Sequence, residues 1–284
     1  MKNILITGSG GFIGGSIYKA LNLKDTYNIT TISRNSSTNS NHYIIDLTDK
    51  NLVSSFIKNS EAFDIIIHCA AIAHGENPPK GMTVGEFNSL IVNNLTNGFG
   101  NKQPDWIFLS SVSVYGEISD TNSTIIEKLP RTNDSYGDGK LQDEIRLASL
   151  CSSLNIIRLS PVYNNVNLKD LKKRVHIPGT NIKLKILPSP LYSICHEKEV
   201  IHAVMKCLIS PSGIKLHQVS NKDATPQRDL LKMFSGPTLI IPQFILKIII
   251  KILPKNIKAS AKIRIMISKL AVDNIYKVGS IEYH

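Results

Sequence analysis

The chain has 284 residues and 42% hydrophobic content, enough to bury a sizeable core as one large domain or two smaller ones. Its four cysteines, Cys69, Cys151, Cys195 and Cys207, lie far apart without paired spacing, so neither a disulfide framework nor a metal site is expected. The formal charge is +11, but residues 242–284 hold eight Lys or Arg against two acids; a basic tail on a modestly basic body suits an anionic small substrate, and no nucleic-acid partner is expected from it.

The chain opens with Met1-Lys2-Asn3 and enters an apolar stretch at Ile4 to Ile6. That stretch is too short for a signal-peptide core or a membrane span, so a cytoplasmic location is expected. Short apolar runs predict strands at 2–6, 28–33, 42–45, 64–68, 105–109 and 155–159. Between them, 12–21, 50–59, 86–95 and 136–150 read as helices. Such alternation predicts an α/β fold, a doubly wound parallel sheet with helices on both faces. Residues 1–163 form the expected dinucleotide-binding domain. Residues 164–284 form a smaller cap, with part of 189–210 returning to the first domain as a helix at 198–208. Thr225 as N-cap and Pro226 at the first helical position predict a further helix over 227–234.

The apolar segment 242–254 carries Lys247 and Lys251 on one helical face. A helix there is expected to bury its apolar side in its own domain or a subunit contact, a homodimer being possible; membrane association is the less favoured use of the same residues.

Chemistry begins at Thr7-Gly8-Ser9-Gly10-Gly11-Phe12-Ile13-Gly14, between the first strand and first helix. Gly8 permits a tight turn, Gly11 lets a pyrophosphate approach the backbone, and Gly14 lets helix and strand pack closely. The helix N-terminus offers free N–H groups to phosphates. Glycines at 8, 11 and 14, continued by Phe12 and Ile13, resemble the extended branch of the short-chain dehydrogenase/reductase superfamily, clearly over residues 1–163 and loosely beyond. The resemblance implies a Rossmann-like sheet, an NAD or NADP cofactor and, in the nucleotide-sugar branch, a nucleoside-diphosphate sugar substrate.

Further landmarks follow the chain. Ser33-Arg34 stands where an acid would select NAD, and no Asp or Glu occurs from Thr26 to Ile45; a hydroxyl and a guanidinium there suit a 2′-phosphate, so NADP is expected, with NAD possible. Asp46-Leu47 resembles the family's adenine-contacting pair, although Asp46 or Thr48 as an N-cap is an alternative. His68-Cys69-Ala70-Ala71 resembles His-x-Ala-Ala, with Ala70 beside the cofactor. His68 itself reads as a core histidine, and His74 as a loop residue bordering the site.

The decisive group is Ser111, Tyr136 and Lys140. Tyr136 and Lys140 share one helix face, Ser111 closes a strand four residues before Tyr115-Gly116, and the lysine is expected to lower the tyrosine pKa and bind ribose hydroxyls. Val112-Ser113 stands where sugar 4,6-dehydratases carry an Asp-Glu pair, which disfavours dehydration. Gly137 and Gly139 are expected to loosen the first turn of the Tyr136 helix. Arg158 to Tyr163 resembles Arg-x-x-x-Val-Tyr-Gly, with Val162 near the nicotinamide and Asn164 in place of glycine. Leu270-Ala271-Val272-Asp273 resembles a signature of members that make sugars for bacterial surface polysaccharides such as O-antigen lipopolysaccharide. The resemblance thus implies an NADP-dependent reductase of a nucleotide-linked 4-keto-6-deoxyhexose of the dTDP type, against an NAD-using nucleotide-sugar 4-epimerase. A non-catalytic dinucleotide sensor or scaffold is the third reading.

Overall fold

The computed structural model describes all residues except 25, 38, 40, 74–76, 117–133, 210–211, 254–262, 264–266, 268–269, 277 and 284. The chain begins with β1 (Lys2–Thr7), α1 (Phe12–Asn22), β2 (Tyr27–Ser33), β3 (His42–Ile44), α2 (Lys50–Asn59) and β4 (Ile65–His68). It continues through α3 (Val84–Phe99), β5 (Asp105–Ser111), a 3-10 turn at Val112–Tyr115, α4 (Ser135–Leu150) and β6 (Ser153–Leu159). These strands pair in parallel, with Ile4 opposite both Ile29 and Ile65 and Phe108 opposite Ile156. β4 is Ile-Ile-Ile-His and buried throughout, as expected of a strand covered by helices on both faces. Successive side chains alternate between two cores. Leu5, Ile66, Trp106 and Phe108 point to one core; Ile4, Ile6, Ile65, Ile67 and Ile107 point to the other.

Segments beyond residue 163, expected as the cap, contribute to three two-stranded sheets and also rejoin the main sheet. β7 (Val162–Tyr163), α5 (Lys169–Lys172), β8 (Lys183–Leu187), β9 (Leu191–Tyr192) and β10 (Cys195–His196) lead to α6 (Glu197–Ile209). Val200, Val204, Cys207 and Leu208 of α6 enter the core of Ile4 and Ile17. β11 (Gly213–Val219) then pairs with β6, and β14 (Gly279–Tyr283) closes the edge antiparallel to β11. The sheet order is β14-β11-β6-β5-β4-β1-β2-β3. The strand order reverses between β1 and β4, so the carboxyl ends of these two strands form the crevice where such sheets take ligands. The sequence reading contained neither β11 nor β14. Lys215, His217 and Gln218 break the apolar run of β11, and its strand state is set by its neighbours rather than by propensity.

The cap holds β12 (Thr225–Pro226), α7 (Gln227–Leu231), β13 (Thr238–Pro242) and α8 (Gln243–Ile252). Several expected boundaries move. Thr225 is not an N-cap: Thr225 and Pro226 pair with Tyr192 and Leu191, and Pro226 takes the cap position. α2 is capped by Asp49, whose carboxylate accepts from the amides of Asn51 and Leu52, and not by Asp46 or Thr48. α3 starts at Val84 because Thr83 and Glu86 form a capping box, a Thr-x-x-Glu signal legible in the sequence. The tail helix α8 buries Leu246 alone of its side chains. Ile248 and Ile249, expected to face the domain, are 48% and 39% exposed, because apolar residues circle the helix while only one narrow side meets the cap.

Candidate active site

The glycine turn is shaped by backbone contacts that leave no room for side chains. Gly8 has φ 71°, a left-handed conformation, and a Cβ there would lie 2.7 Å from the backbone N and Cα of Ala70. A Cβ on Gly14 would strike the Gly8 carbonyl. Gly11 is the N-cap of α1, with no side-chain cap and no acid in the first turn. The first N–H groups and the positive end of the helix dipole therefore face the crevice, and these residues fit the pyrophosphate of a dinucleotide. Phe12 and Ile13 are half-buried, packed on the core of Ile4 and Ile17.

The end of β2 closes the turn from the side. The amides of Gly8 and Ser9 donate to the Ile32 carbonyl at 2.8 and 3.3 Å. A Cβ on Gly10 would sit 3.1 Å from Ser33 Oγ, so Ser33 borders the phosphate turn. Arg34 follows on the surface, exposed. Asp46 is exposed and accepts from the Thr48 amide and hydroxyl at 2.9 and 2.7 Å. Leu47 lies in the core at 5% exposure. Its carbonyl accepts from Asn94 Nδ2 at 2.9 Å.

Ser111 and Tyr136 meet where β5 and α4 converge. Ser111 ends β5 and caps the following 3-10 turn, its Oγ accepting from the Ser113 amide at 3.1 Å. Asp134 starts α4 by accepting from the Gly137 amide at 2.7 Å, which fixes Tyr136 in the first turn. The half-buried Tyr136 phenol is hydrogen-bonded with the Ser111 side chain. Burial pushes Tyr136 up to about 12, the carboxylates of Asp170 and Asp134 push the same way, and the Ser111 bond opposes them.

Lys140 braces the end of β5. Its Nζ is buried, donates to the Leu109 carbonyl at 2.9 Å and lies 4.5 Å from the Phe108 ring centre. Burial pulls its pKa below the ordinary lysine value, against Asp143, Cys69 and Glu144. The charges that act on the phenol in this structure are the carboxylates of Asp170 and Asp134. His68 sits under the same ammonium, with Nδ1 2.9 Å from Thr7 Oγ1 and its ring stacked on Phe108 at 5.8 Å. Burial, with Lys140, lowers His68 to about 3, which keeps it neutral. His74 lies outside the described residues.

A buried polar network supports the site from behind. Arg158 forks onto Glu144, with Nη2–Oε2 at 2.6 Å and Nε–Oε1 at 3.1 Å, and Ser110 Oγ donates to the same carboxylate. The Arg158 guanidinium lies 4.9 Å from the Tyr115 ring centre, and the Tyr115 hydroxyl donates to Gln218 at 3.0 Å. This fixes the turn after Ser111 against α4, β6 and β11 together. Val162 is buried, and β7 pairs with β10. Asn164 works without the expected glycine: its Oδ1 accepts from the amides of Val166 and Asn167, and its Nδ2 donates to Glu197 at 2.9 Å. Leu270 and Asp273 tie the cap, with the Tyr192 hydroxyl donating to the Leu270 carbonyl and the Leu191 amide donating to Asp273.

The sequence reading missed Asp134, Glu144 and the Leu109 carbonyl. Glu144 had a signal, since Tyr136, Lys140 and Glu144 recur every four residues along one helix face. The other two depend on where β5 ends and α4 begins in space.

Known proteins share this fold. The family model described as "NAD dependent epimerase/dehydratase family" matches residues 4–166. A UDP-glucose 4-epimerase of Vibrio cholerae is 25% identical over 272 residues, covering 85% of this chain and 78% of that protein. Among solved structures, the NAD complex of Thermus thermophilus UDP-glucose 4-epimerase superposes with TM-score 0.64 at 18% identity, over 94% of this chain and 98% of that one. A hypothetical dTDP-4-dehydrorhamnose reductase of Sulfolobus tokodaii gives 0.65 at 22% identity, over 85% and 86%. With the glycine turn, the switch-point crevice and a family match over more than half its length, the chain belongs to the NAD dependent epimerase/dehydratase family of short-chain dehydrogenase enzymes.

Proposed function

We propose that the protein is an NADP-dependent reductase of the 4-keto group of a nucleotide-linked 6-deoxyhexose. The observation that supports the reading is the Ser111–Tyr136 pair, a hydroxyl hydrogen-bonded to a phenol that has a proton to give. Reduction of a ketone needs a proton donor at the carbonyl oxygen, whereas oxidation of an alcohol needs a base. Tyr136 then gives its proton to the substrate oxygen while Ser111 orients that oxygen. Bound NADPH supplies the hydride. Gly8, Gly11 and Gly14 would hold its pyrophosphate, Ser33 and Arg34 would bind the 2′-phosphate, and Ala70 and Val162 would line the remaining cofactor path. Lys140 holds the strand end through Leu109 and stands within one helical turn of Tyr136, where ribose hydroxyls are its further ligands.

A second reading, a nucleotide-sugar 4-epimerase, is favoured by the similarity to the Vibrio cholerae enzyme. One assay separates them. The purified protein is offered NADH or NADPH with a dTDP-linked 4-keto-6-deoxyhexose and, separately, UDP-glucose without added cofactor. Consumption of NADPH in step with loss of the ketone is expected; interconversion of UDP-glucose and UDP-galactose without added cofactor overturns the reductase.

A further inference from the structure

Among the described residues, nothing covers a wide apolar arc of the tail helix. α8 meets the cap through Leu246 and Ile250, which with Leu253 just after the helix join the cluster of Leu184, Ile186 and Leu270. At about 100° per residue, Phe244, Ile245, Ile248, Ile249 and Ile252 fall within an arc of about 140° on another side. All five are exposed, Phe244 by 62% and Ile252 by 75%. Leu239 and Ile240 on β13, just before the helix, are exposed as well. Single exposed apolar side chains are ordinary, but seven on one strand–helix unit mark an interaction surface.

Charge identifies the partner. Lys247 and Lys251 are exposed one turn apart, bordering the apolar arc. The sequence holds no Asp or Glu between Asp229 and Asp273, against eight Lys or Arg. We infer that α8 and the end of β13 dock on an anionic lipid bilayer, the apolar arc entering the boundary between headgroups and acyl chains and Lys247 and Lys251 reaching the lipid phosphates. The helix lies in the interface plane: at about 1.5 Å per residue its length is about half the hydrocarbon thickness, and no helix among the described residues is long and apolar enough to cross a membrane. A second copy is a poorer occupant, since a symmetric contact through this face sets like charges against each other with no acid to pair them. A bilayer satisfies both the apolar arc and the lysines.

The test floats the full-length protein with vesicles of phosphatidylcholine alone and of phosphatidylcholine containing phosphatidylglycerol at roughly one part in three. Binding to the anionic vesicles, weakened by salt and absent on neutral ones, is expected. Lys247→Gln with Lys251→Gln, and separately Ile248→Ser with Ile249→Ser, each lower that binding by about tenfold or more without lowering Tm, because all four side chains are exposed. Failure of the intact protein to bind anionic vesicles overturns the proposal, as does equal binding by the parent and the lysine pair. A concentration-dependent dimer that the isoleucine pair abolishes, without vesicle binding, reassigns the face to a second copy. The lysine pair decides the question by itself if the isoleucine pair does not fold.

Discussion

Gly85 of α3 and Gly139 of α4 touch backbone to backbone, and a Cβ on Gly139 would lie 2.5 Å from the Gly85 Cα. In the opposite direction, a Cβ on Gly85 would collide with the Ser135 carbonyl in the first turn of α4. Gly139 therefore does more than loosen a helix. It lets α4 approach α3 closely enough to place Tyr136 against Ser111. Gly139→Ala and Gly85→Ala are expected to cost about 1–3 kcal/mol, because backbone must shift to admit a methyl group. Urea unfolding reads the stability, and kcat falls with it as Tyr136 moves. Unchanged stability in either variant refutes the close crossing.

Tyr136→Phe removes the proposed proton donor and leaves the packing of α4. Its expected result is a folded, cofactor-binding protein whose kcat drops by about 10²-fold or more. Ser111→Ala loses less, since the phenol remains, and single-turnover reduction with saturating cofactor measures both. Near-parental turnover in Tyr136→Phe removes it from its assigned role.

Cofactor choice is tested at Arg34, which is exposed at the end of β2 beyond Ser33. Arg34→Ala is expected to weaken NADPH by about tenfold and to leave NADH nearly unaffected, because only NADPH carries the phosphate that a guanidinium grips. Fluorescence titration of both cofactors provides the comparison, and equal weakening of the two discards the assignment.

Asp143, buried behind Lys140, gives the fold a dependence on pH. Burial raises its carboxyl from 3.8 to about 6, against the pull of Lys140, Ser89 and Arg146. The folded state thus binds the proton more tightly than the unfolded chain, so stability falls as pH rises from 3.8 to about 6 and levels off above that. The expected loss across this window is about 2–3 kcal/mol. Asp143→Asn is expected to flatten the curve, read by urea unfolding at several pH values between these limits. A variant that keeps the parental slope moves the effect to another group.

Breaking the Arg158–Glu144 fork is the most damaging single change expected. Both side chains are 4% exposed, so Arg158→Ala strands a buried carboxylate at a cost of about 3–5 kcal/mol. It also frees the Tyr115 turn that follows Ser111. Thermal unfolding together with KM for substrate reads both consequences, and a loss below about 1 kcal/mol contradicts the network.

The sequence determined the elements whose signals are local. β1, the glycine turn and α1 follow one another within 22 residues, and turn, strand and helix each have their own residue pattern. Tyr136 and Lys140 were legible for the same reason: a spacing of four is a property of one helix. Tertiary structure decided what depends on distant neighbours. β11 is a strand because β6 and β14 flank it, despite its polar residues. Lys140 meets the Leu109 carbonyl, 31 positions away, and so braces β5. The apolar tail had the right helix and the wrong surroundings, because periodicity measures which residues share a face and not whether anything covers that face.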